Sequence, residues 1–350
     1  MIRMVYGAVI ATASIVCLVL PTIALGASNG PDLNGTYDVA TLTPLRRPAH
    51  FGDNLYLTPE QAKALAATDR QRDLDDSRVS DPNREAPPEG GDGSAGAAGN
   101  VGGYNTFWID NGDQAFTLDG KFRTSIITYP ENGRTPTLTP VGAERAKARS
   151  QRRRENTGTA WWLSEEGPGP YDNPEMRPLA ERCLLGFGPV AGPPMVPALY
   201  NNVKRIVQTD DYIMIMAEMV HDARVIRMNA EHRPDSVRTW LGDSIGHWED
   251  ETLVVETTNF KSQPALYGAD ENLKVTEWFT RLDDDTLHYR FEVEDPTVWK
   301  DVWRGDYPWP ATKEKLFEYA CHEGNYALGN IMRGARILEQ DIEGPSSAGD

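Results

Sequence analysis

The sequence has few of the residues from which metal and redox sites are built, with 3 cysteines and 6 histidines in 350 residues. The histidines that could act as ligands lie on different segments: His221, His247, His288 and His322. No HExxH motif or other paired histidine spacing occurs. The acidic turn 283–285 also lacks the glycine and glutamate spacing of an EF-hand. We therefore predict neither a metal nor a cofactor.

Positive charge is also scarce, because 35 Lys and Arg face 52 Asp and Glu and leave a net charge of -17. Such a surface repels polyanions at physiological salt, so we expect no nucleic-acid partner and no anionic membrane surface. The Gly-rich stretch 75–103 contains neither GxxxxGK[ST] nor a GxGxxG set between a strand and a helix, so it is not a nucleotide loop. A hydrophobic content of 39% is still enough for one large core or two ordinary ones.

The first 27 residues have the pattern of a secretory signal peptide. Arg3 is the only charged residue before an apolar run from Val5 to Leu25, and small residues follow for signal peptidase. An uncleaved anchor is the alternative, since the run approaches the roughly 20 residues that span a bilayer. We expect a periplasmic or secreted protein with no membrane contact after cleavage.

Cleavage of this segment would leave two cysteines, Cys183 and Cys321. An even count in an oxidising compartment predicts one disulfide between them. Closing so long a loop would stabilise the fold by roughly 4–5 kcal/mol through the entropy of the unfolded chain. Two buried free thiols are the alternative.

Residues 28–160 predict a mixed region of strands and helices around the Gly-rich loop. Thr58 and Gln61 form a capping box at the start of a helix that runs to about Leu74. A second helix with the same kind of start is predicted over Ala143–Arg154.

Residues 161–350 predict the main β-region, with a helix only near the end, at Glu323–Glu339. The stretch Trp240–Phe260 is its anchor, because two apolar runs flank an acidic turn as in a β-hairpin. The predicted strands are Val203–Thr209, Tyr212–Met219, Ala223–Met228, Ser244–Trp248, Thr252–Thr257, Leu273–Arg281, Leu287–Glu294 and Leu316–Cys321. Their spacing is typical of antiparallel neighbours, so the predicted fold is mainly β: an antiparallel, lipocalin-like barrel or curved sheet with a few peripheral helices.

Long motifs in this region resemble a family of secreted bacterial proteins of unknown function. The segments that carry the resemblance are GHWEDETLVVETTNF, TEWFTRLDDDTLHYRFEVEDPTVW, FEYACHEGNYALGNI and GGDGSAGAAGNVGGYNTFWID. The resemblance covers nearly the whole mature chain and implies no activity or catalytic residue. The likeness to lipocalins depends on the strand pattern alone.

The most tempting catalytic motif is Gly242–Gly246, which matches the G-x-S-x-G nucleophile elbow of α/β-hydrolases. That elbow needs a strand before the serine and a helix after it, whereas here a β-hairpin follows. His247 is also too close in sequence to reach back to Ser244. We therefore do not predict a serine hydrolase.

Alternation along the strands predicts a polar cluster on an otherwise apolar face. Val275 and Phe279 face the apolar side of their sheet, so Glu277 between them should point inward. Glu218 interrupts another apolar strand, and Glu256 lies on the face of Val254. The cations that could pair with these acids are Arg224 and Arg123, and His221 is adjacent. The cluster is either a structural network of paired charges or the polar floor of a ligand cavity.

From this cluster we predict a β-barrel protein that binds a small apolar or aromatic ligand. Tyr104 and Trp108, at the end of the Gly-rich loop, would add aromatic contacts. One alternative is a metal-independent acid-base enzyme, such as a hydratase, isomerase or hydrolase, on the same scaffold. Another is an envelope interaction protein with a filled barrel and no site.

Overall fold

A computed structural model describes residues 30–76, 110–151, 158–186, 188–190, 192–198, 201–262, 266 and 268–343. The predicted signal segment, most of the Gly-rich stretch, Tyr104 and Trp108 lie outside these residues.

One ten-stranded sheet forms the body of the described chain and confirms the mainly β prediction. Its strands, in sheet order, are β1 (Gly35–Asp38), β6 (Val203–Gln208), β7 (Tyr212–Ala217), β8 (Ala223–Met228), β9 (Asp243–Glu249), β10 (Thr252–Thr258), β11 (Lys274–Asp283), β12 (Thr286–Glu294), β13 (Trp303–Pro310) and β5 (Ile127–Tyr129). A second, three-stranded sheet is formed by β2 (Tyr56–Leu57), β4 (Lys121–Arg123) and β3 (Thr117–Leu118).

The large sheet curls until β1, at one edge, reaches the end of β13, next to the other edge. Tyr37 on β1 forms an isolated antiparallel bridge with Ala311, just after β13. The amide of Thr312 also donates to the Thr36 carbonyl at 2.8 Å. The result is a half-barrel with a seam between β1 and β13.

The concave face of this half-barrel holds the main core. On β12 the inward residues 287, 289, 291 and 293 are buried, while the residues between them face outward. Aromatic rings fill the interior: Tyr289 lies 5.0 Å from Phe279 and 4.9 Å from Trp309, centroid to centroid. Alternation therefore predicted the inward face correctly.

Three α-helices accompany the sheets: α1 (Pro59–Asp76), α2 (Pro140–Gln151) and α3 (Tyr326–Glu343). All three were predicted, with ends shifted by a few residues. The capping box of α1 is present, because the Thr58 amide donates to Gln61 Oε1 at 2.8 Å and the Gln61 amide donates to Thr58 Oγ1 at 3.2 Å. No helix in the described ranges is both long enough and apolar enough to cross a bilayer.

A proline-rich segment, 192–198, plugs the interior of the half-barrel. Its Met195 is fully buried among the core residues. The Met195 amide donates to the Tyr289 hydroxyl at 2.9 Å, and the Tyr307 hydroxyl donates to the Met195 carbonyl at 2.8 Å. The predicted disulfide is present: it joins Cys183, a few residues before the plug, to Cys321.

Four details of the strand prediction were wrong. Leu316–Cys321 is not a strand, and the Phe317 amide donates to the Glu218 carboxylate. β13 was missed because its prolines and tryptophans do not resemble a central strand. The sequence DGKFRTSIITY at 119–129 predicts one arm of a hairpin, but the structure divides it between two sheets, since β4 and β5 pair with different partners. β8 and β9 are parallel, because residues 229–242 carry the chain back across the sheet.

Candidate functional site

The predicted inward acid is at the centre of the half-barrel. Glu277 on β11 is 0% exposed and forms an ion pair with Arg224 on β8. Arg224 Nη2 donates to Glu277 Oε1 at 2.9 Å, and the Tyr289 hydroxyl donates to the same oxygen at 2.8 Å. The prediction that Glu277 points inward beside Arg224 is confirmed.

Other buried residues surround this ion pair. Arg224 also lies 3.4 Å from Thr257 Oγ1, which contacts Ser244 Oγ at 2.8 Å, and the plug covers Tyr289. Burial, together with the nearby Glu277 carboxylate, holds the pKa of Tyr289 well above its usual range. Because each charge already has a partner and neither lines a described cavity, the geometry favours the structural reading of this pair.

Glu218 does not join this pair. It is buried at the end of β7, where its two oxygens accept from Asn201 Nδ2 at 2.6 Å and from the Phe317 amide at 2.8 Å. His221 lies at the surface in the turn that follows, at φ 46°. The predicted convergence of Glu218 and His221 on Glu277 is therefore wrong.

Two further predicted site residues lie on the outer face of the sheet. Glu256 is bound by Lys274 and lies 3.3 Å from His232 Nε2, so it does not form a wall of the interior. Its face was assigned wrongly because Val254 is itself buried on the outside of the sheet. Arg123 pairs with Asp306 at 3.3 Å, away from the acids of the interior.

Ser244 does not have the setting of a nucleophile. It lies within β9, it is buried, and its described partner is the Thr257 hydroxyl. No histidine contacts it within the described chain. The structure thus agrees with the sequence that G-x-S-x-G here is not an elbow.

Sequence reasoning missed a second group of buried charges, at the rim of the half-barrel. Lys204 on β6 is 0% exposed, and its Nζ has no hydrogen-bond partner among the described residues. Burial lowers the pKa of Lys204 to about 7, and the carboxylates of Glu218, Asp222 and Asp38 only partly oppose this effect. Burial likewise raises the pKa of Asp222 to about 6, although His221 and Lys204 act to lower it.

The backbone beside this group is strained. Val220 has φ 58°, a left-handed value that is rare for a β-branched residue, and His221 follows with φ 46°. Asn201, which binds Glu218, also has a positive φ of 58°. A strained turn beside a buried lysine without a hydrogen-bond partner makes the rim a candidate functional region.

A cavity of about 690 Å³ opens at the seam near this rim. We call it the seam cavity. Its walls are the end of β1 and the chain after it, one residue of α1, the segment 110–117, and the β12–β13 edge. The lining residues that matter chemically are Asp38, Asp73, Asp110, Asp113, Phe116 and Tyr307.

The lining of the seam cavity is acidic and partly aromatic. It includes four aspartates but neither Lys nor Arg among the described residues. Burial, reinforced by the charge of Asp38, raises the pKa of Asp110 to about 6. The rings of Phe116 and Tyr307 lie 6.3 Å apart, centroid to centroid. Carboxylates beside aromatic rings, in a lining without Lys or Arg among the described residues, suit an organic cation better than an anion.

Within residues 30–76, 110–151 and the later described ranges, no group of three or more His, Cys, Asp or Glu is placed to hold a metal ion.

Comparison with known proteins adds no family: no protein-family model matches the chain, and no curated protein is similar to it. The resemblance to secreted bacterial proteins therefore stays a prediction.

Proposed function

We propose that this protein is a periplasmic or secreted binding protein that holds a small organic cation, an amine on an apolar or aromatic body, in the seam cavity. The observation that carries the proposal is the lining: four aspartates, no basic residue among the described ones, and two aromatic rings. The volume of about 690 Å³ lies within the range of small-molecule sites.

The structure alters the ligand expected from the sequence in one respect. Arg224 and Glu277, members of the cluster predicted as either a structural network or the polar floor of a ligand cavity, are bound to each other and to Tyr289. In the seam cavity, Asp110 and Asp38 bind the amine of the ligand instead. The disulfide supports a periplasmic or secreted location, because such bonds persist in oxidising environments.

Matched probes test the charge of the ligand. Phenethylamine, phenylacetate and 2-phenylethanol share a ring and differ in charge, and calorimetry would compare their affinities at pH 7.5. We expect the amine to bind and the acid not to bind. Asp110→Asn should weaken amine binding by about tenfold, because an ion pair of roughly 1.4 kcal/mol is lost.

Asp210→Asn is the control for the loss of one negative charge, since Asp210 is exposed in the β6–β7 turn and lines neither described cavity. It should leave the affinity unchanged. Equal binding of the amine and the acid, or an equal loss of affinity in both variants, would contradict the proposal.

A second candidate function uses the same cavity. The carboxyl of Asp110, with its pKa near 6, has the acid-base character of a proton-transfer group, which fits an acid-base enzyme. Mass spectrometry of a bound amine after incubation separates the two functions. A binding protein returns the amine unchanged, whereas an enzyme returns a product that Asp110→Asn does not form.

A further inference from the structure

A second cavity, of about 480 Å³, lies beside β4, where the small sheet meets the β13–β5 end of the large sheet. We call it the arginine groove. Its lining residues are Leu55, Arg123, Thr128, Trp278, Arg290, Phe291, Arg304, Gly305 and Asp306. It opens on the outer face of the sheet, because Trp278, Arg290 and Arg304 alternate with buried core residues on their strands.

The charge of the arginine groove is opposite to that of the protein. Three arginines and a single aspartate line it, whereas the whole chain has a net charge of -17. Arg290 has no acidic partner in the described chain, and its guanidinium lies 5.6 Å from the centre of the Trp278 ring. Arg304 is bound to Glu292 at 2.5 Å and lies 4.9 Å from the centre of the Tyr129 ring.

At the base of the arginine groove, Arg123 has a guanidinium N–H without a hydrogen-bond acceptor in the described chain. Arg123 is 8% exposed, and its Nε has no hydrogen-bond partner among the described residues. Asp306, its partner at 3.3 Å, is shared with His288 Nε2 at 3.0 Å. A buried guanidinium donor without an acceptor costs stability, and an anionic ligand would supply an acceptor.

We propose that the arginine groove binds a planar aromatic ring that carries a carboxylate. Guanidinium groups hold carboxylates through two parallel hydrogen bonds, which a point-charge cation does not provide. Trp278 provides a flat surface for the ring, and the Arg290 guanidinium, 5.6 Å from the centre of the Trp278 ring, is placed to hold the carboxylate. This site is independent of the seam cavity and takes a ligand of opposite charge.

Calorimetry with 2-naphthoate tests the proposal, with acetate and inorganic phosphate as probes that lack the ring. We expect 2-naphthoate to bind at least about tenfold more tightly than either, and its affinity to fall as salt is added. Arg290→Gln should weaken it by about tenfold or more, and Arg290→Lys should restore only part of the loss because lysine lacks the fork.

Arg72→Gln is the matched control, since it removes the same charge from α1, and Arg72 lines neither described cavity. It should leave naphthoate binding unchanged. Trp278→Phe, which keeps a ring on the outer face, should retain most of the affinity, while Trp278→Leu should lose it. Circular dichroism verifies that each variant is folded.

Three outcomes would overturn the proposal: naphthoate binding no tighter than acetate, the same loss in Arg72→Gln as in Arg290→Gln, or tighter binding of inorganic phosphate than of naphthoate. Phenethylamine binding should not change in Arg290→Gln. That measurement separates failure at the arginine groove from failure at the seam cavity.

Discussion

Two regions of this half-barrel bury charge in different ways. In the interior, Arg224 and Glu277 form an ion pair that Tyr289 and the plug cover, and of the pair's side-chain N and O atoms only Arg224 Nε has no hydrogen-bond partner among the described residues. At the rim, Lys204 is equally buried but has no hydrogen-bond partner in the described chain. Both regions contain an acid and a base inside a β-sheet, yet only the rim lies close to an open cavity.

This difference separates charges that maintain the fold from charges that are available to a ligand. Removing one member of a buried pair leaves its partner uncompensated, so such pairs resist substitution without acting on anything. A buried charge without a partner lowers stability in the free protein. Proteins retain such groups mainly where a ligand or a reaction uses them. The interior should therefore respond to substitution through stability, and the rim through pH dependence and binding.

The largest expected effect concerns the disulfide, which holds the chain before the plug to the segment that binds Glu218. Replacing both cysteines by serine should lower the free energy of unfolding by about 4–5 kcal/mol, because the bond closes a loop across a sequence separation of 138. Urea denaturation of the two proteins measures the difference. A loss below about 1 kcal/mol would show that the rim is held by packing instead.

Glu277→Gln should have the next largest effect. It should lower the free energy of unfolding by about 4 kcal/mol, because Arg224 remains buried without a counterion. The double variant Arg224→Met/Glu277→Leu removes both charges and should recover most of the loss. Denaturation curves of the three proteins measure this coupling. If the double variant were as unstable as Glu277→Gln, the interior would not be a simple ion pair.

Lys204→Met should have the opposite sign and stabilise the protein at pH 7. The folded state lowers the pKa of Lys204 from 10.5 to about 7, so below pH 10.5 the unfolded chain binds the proton more strongly. Wild-type stability therefore rises between pH 7 and 10.5, and the variant lacks this rise. The gain should be on the order of 3 kcal/mol at pH 7 and should shrink toward pH 10.

A gain that is constant over this pH range would mean that the folded protein keeps Lys204 protonated over the range, as the unfolded chain does, so that burial does not lower its pKa. A loss of stability would mean that the lysine is needed by Glu218 and Asp222 as a counterion. Either result would remove the distinction between rim and interior.

Asp110→Asn should give a smaller effect with its own pH dependence. Because folding raises the pKa of this carboxyl from 3.8 to about 6, wild-type stability falls as the pH rises through that window. The variant avoids this fall and should be about 1 kcal/mol more stable at pH 7.5 than wild type, since solvent screens a partly exposed group. At pH 4 the two should be alike.

The same titration should appear in ligand binding. Phenethylamine needs the charged form of Asp110, so its affinity should increase as the pH rises through about 6. Calorimetry of wild type and Asp110→Asn at pH 5 and 7.5 would measure this increase, which the variant should lack.

The sequence predicted those features that depend on local pattern. Alternation placed Glu277 on the inward face, and the capping box placed the start of α1, because both depend on neighbours within a few residues. β13 was not predicted, because its prolines and tryptophans do not resemble a central strand. Their side chains alternate around the backbone all the same: Trp303, Tyr307 and Trp309 face the core.

The candidate site was harder to predict because it depends on contacts between distant segments. The seam cavity joins β1, the segment 110–117 and the β12–β13 edge, which no local pattern brings together. Lys204 could have been found, since alternation along the predicted strand 203–209 places it on the face of Ile206, and buried lysines are uncommon. Tyr104 and Trp108 lie outside the described residues, so their predicted role stays a prediction.

Glu256→Gln should give the smallest effect, and it is the sharpest contrast with Glu277→Gln. Glu256 pairs in register with Thr276, one residue before Glu277, so the same substitution is made on neighbouring strands but on opposite faces. Burial acts to raise the pKa of Glu256, but the hydrogen bond and charge of Lys274 outweigh it and lower the pKa below its usual range. The carboxylate thus stabilises the fold above the unfolded pKa, and this contribution is lost as the pH falls through the folded pKa.

Since Glu256 is 37% exposed on its side chain, we expect a loss of only about 0.5 kcal/mol at pH 7 and none at pH 2. Urea denaturation of both glutamine variants at the two pH values measures the contrast. A loss at Glu256 as large as at Glu277 would mean that the outer network of Asp243, His232 and Lys274 supports the fold as strongly as the interior pair. In that case, burial would not be what separates the two faces of the sheet.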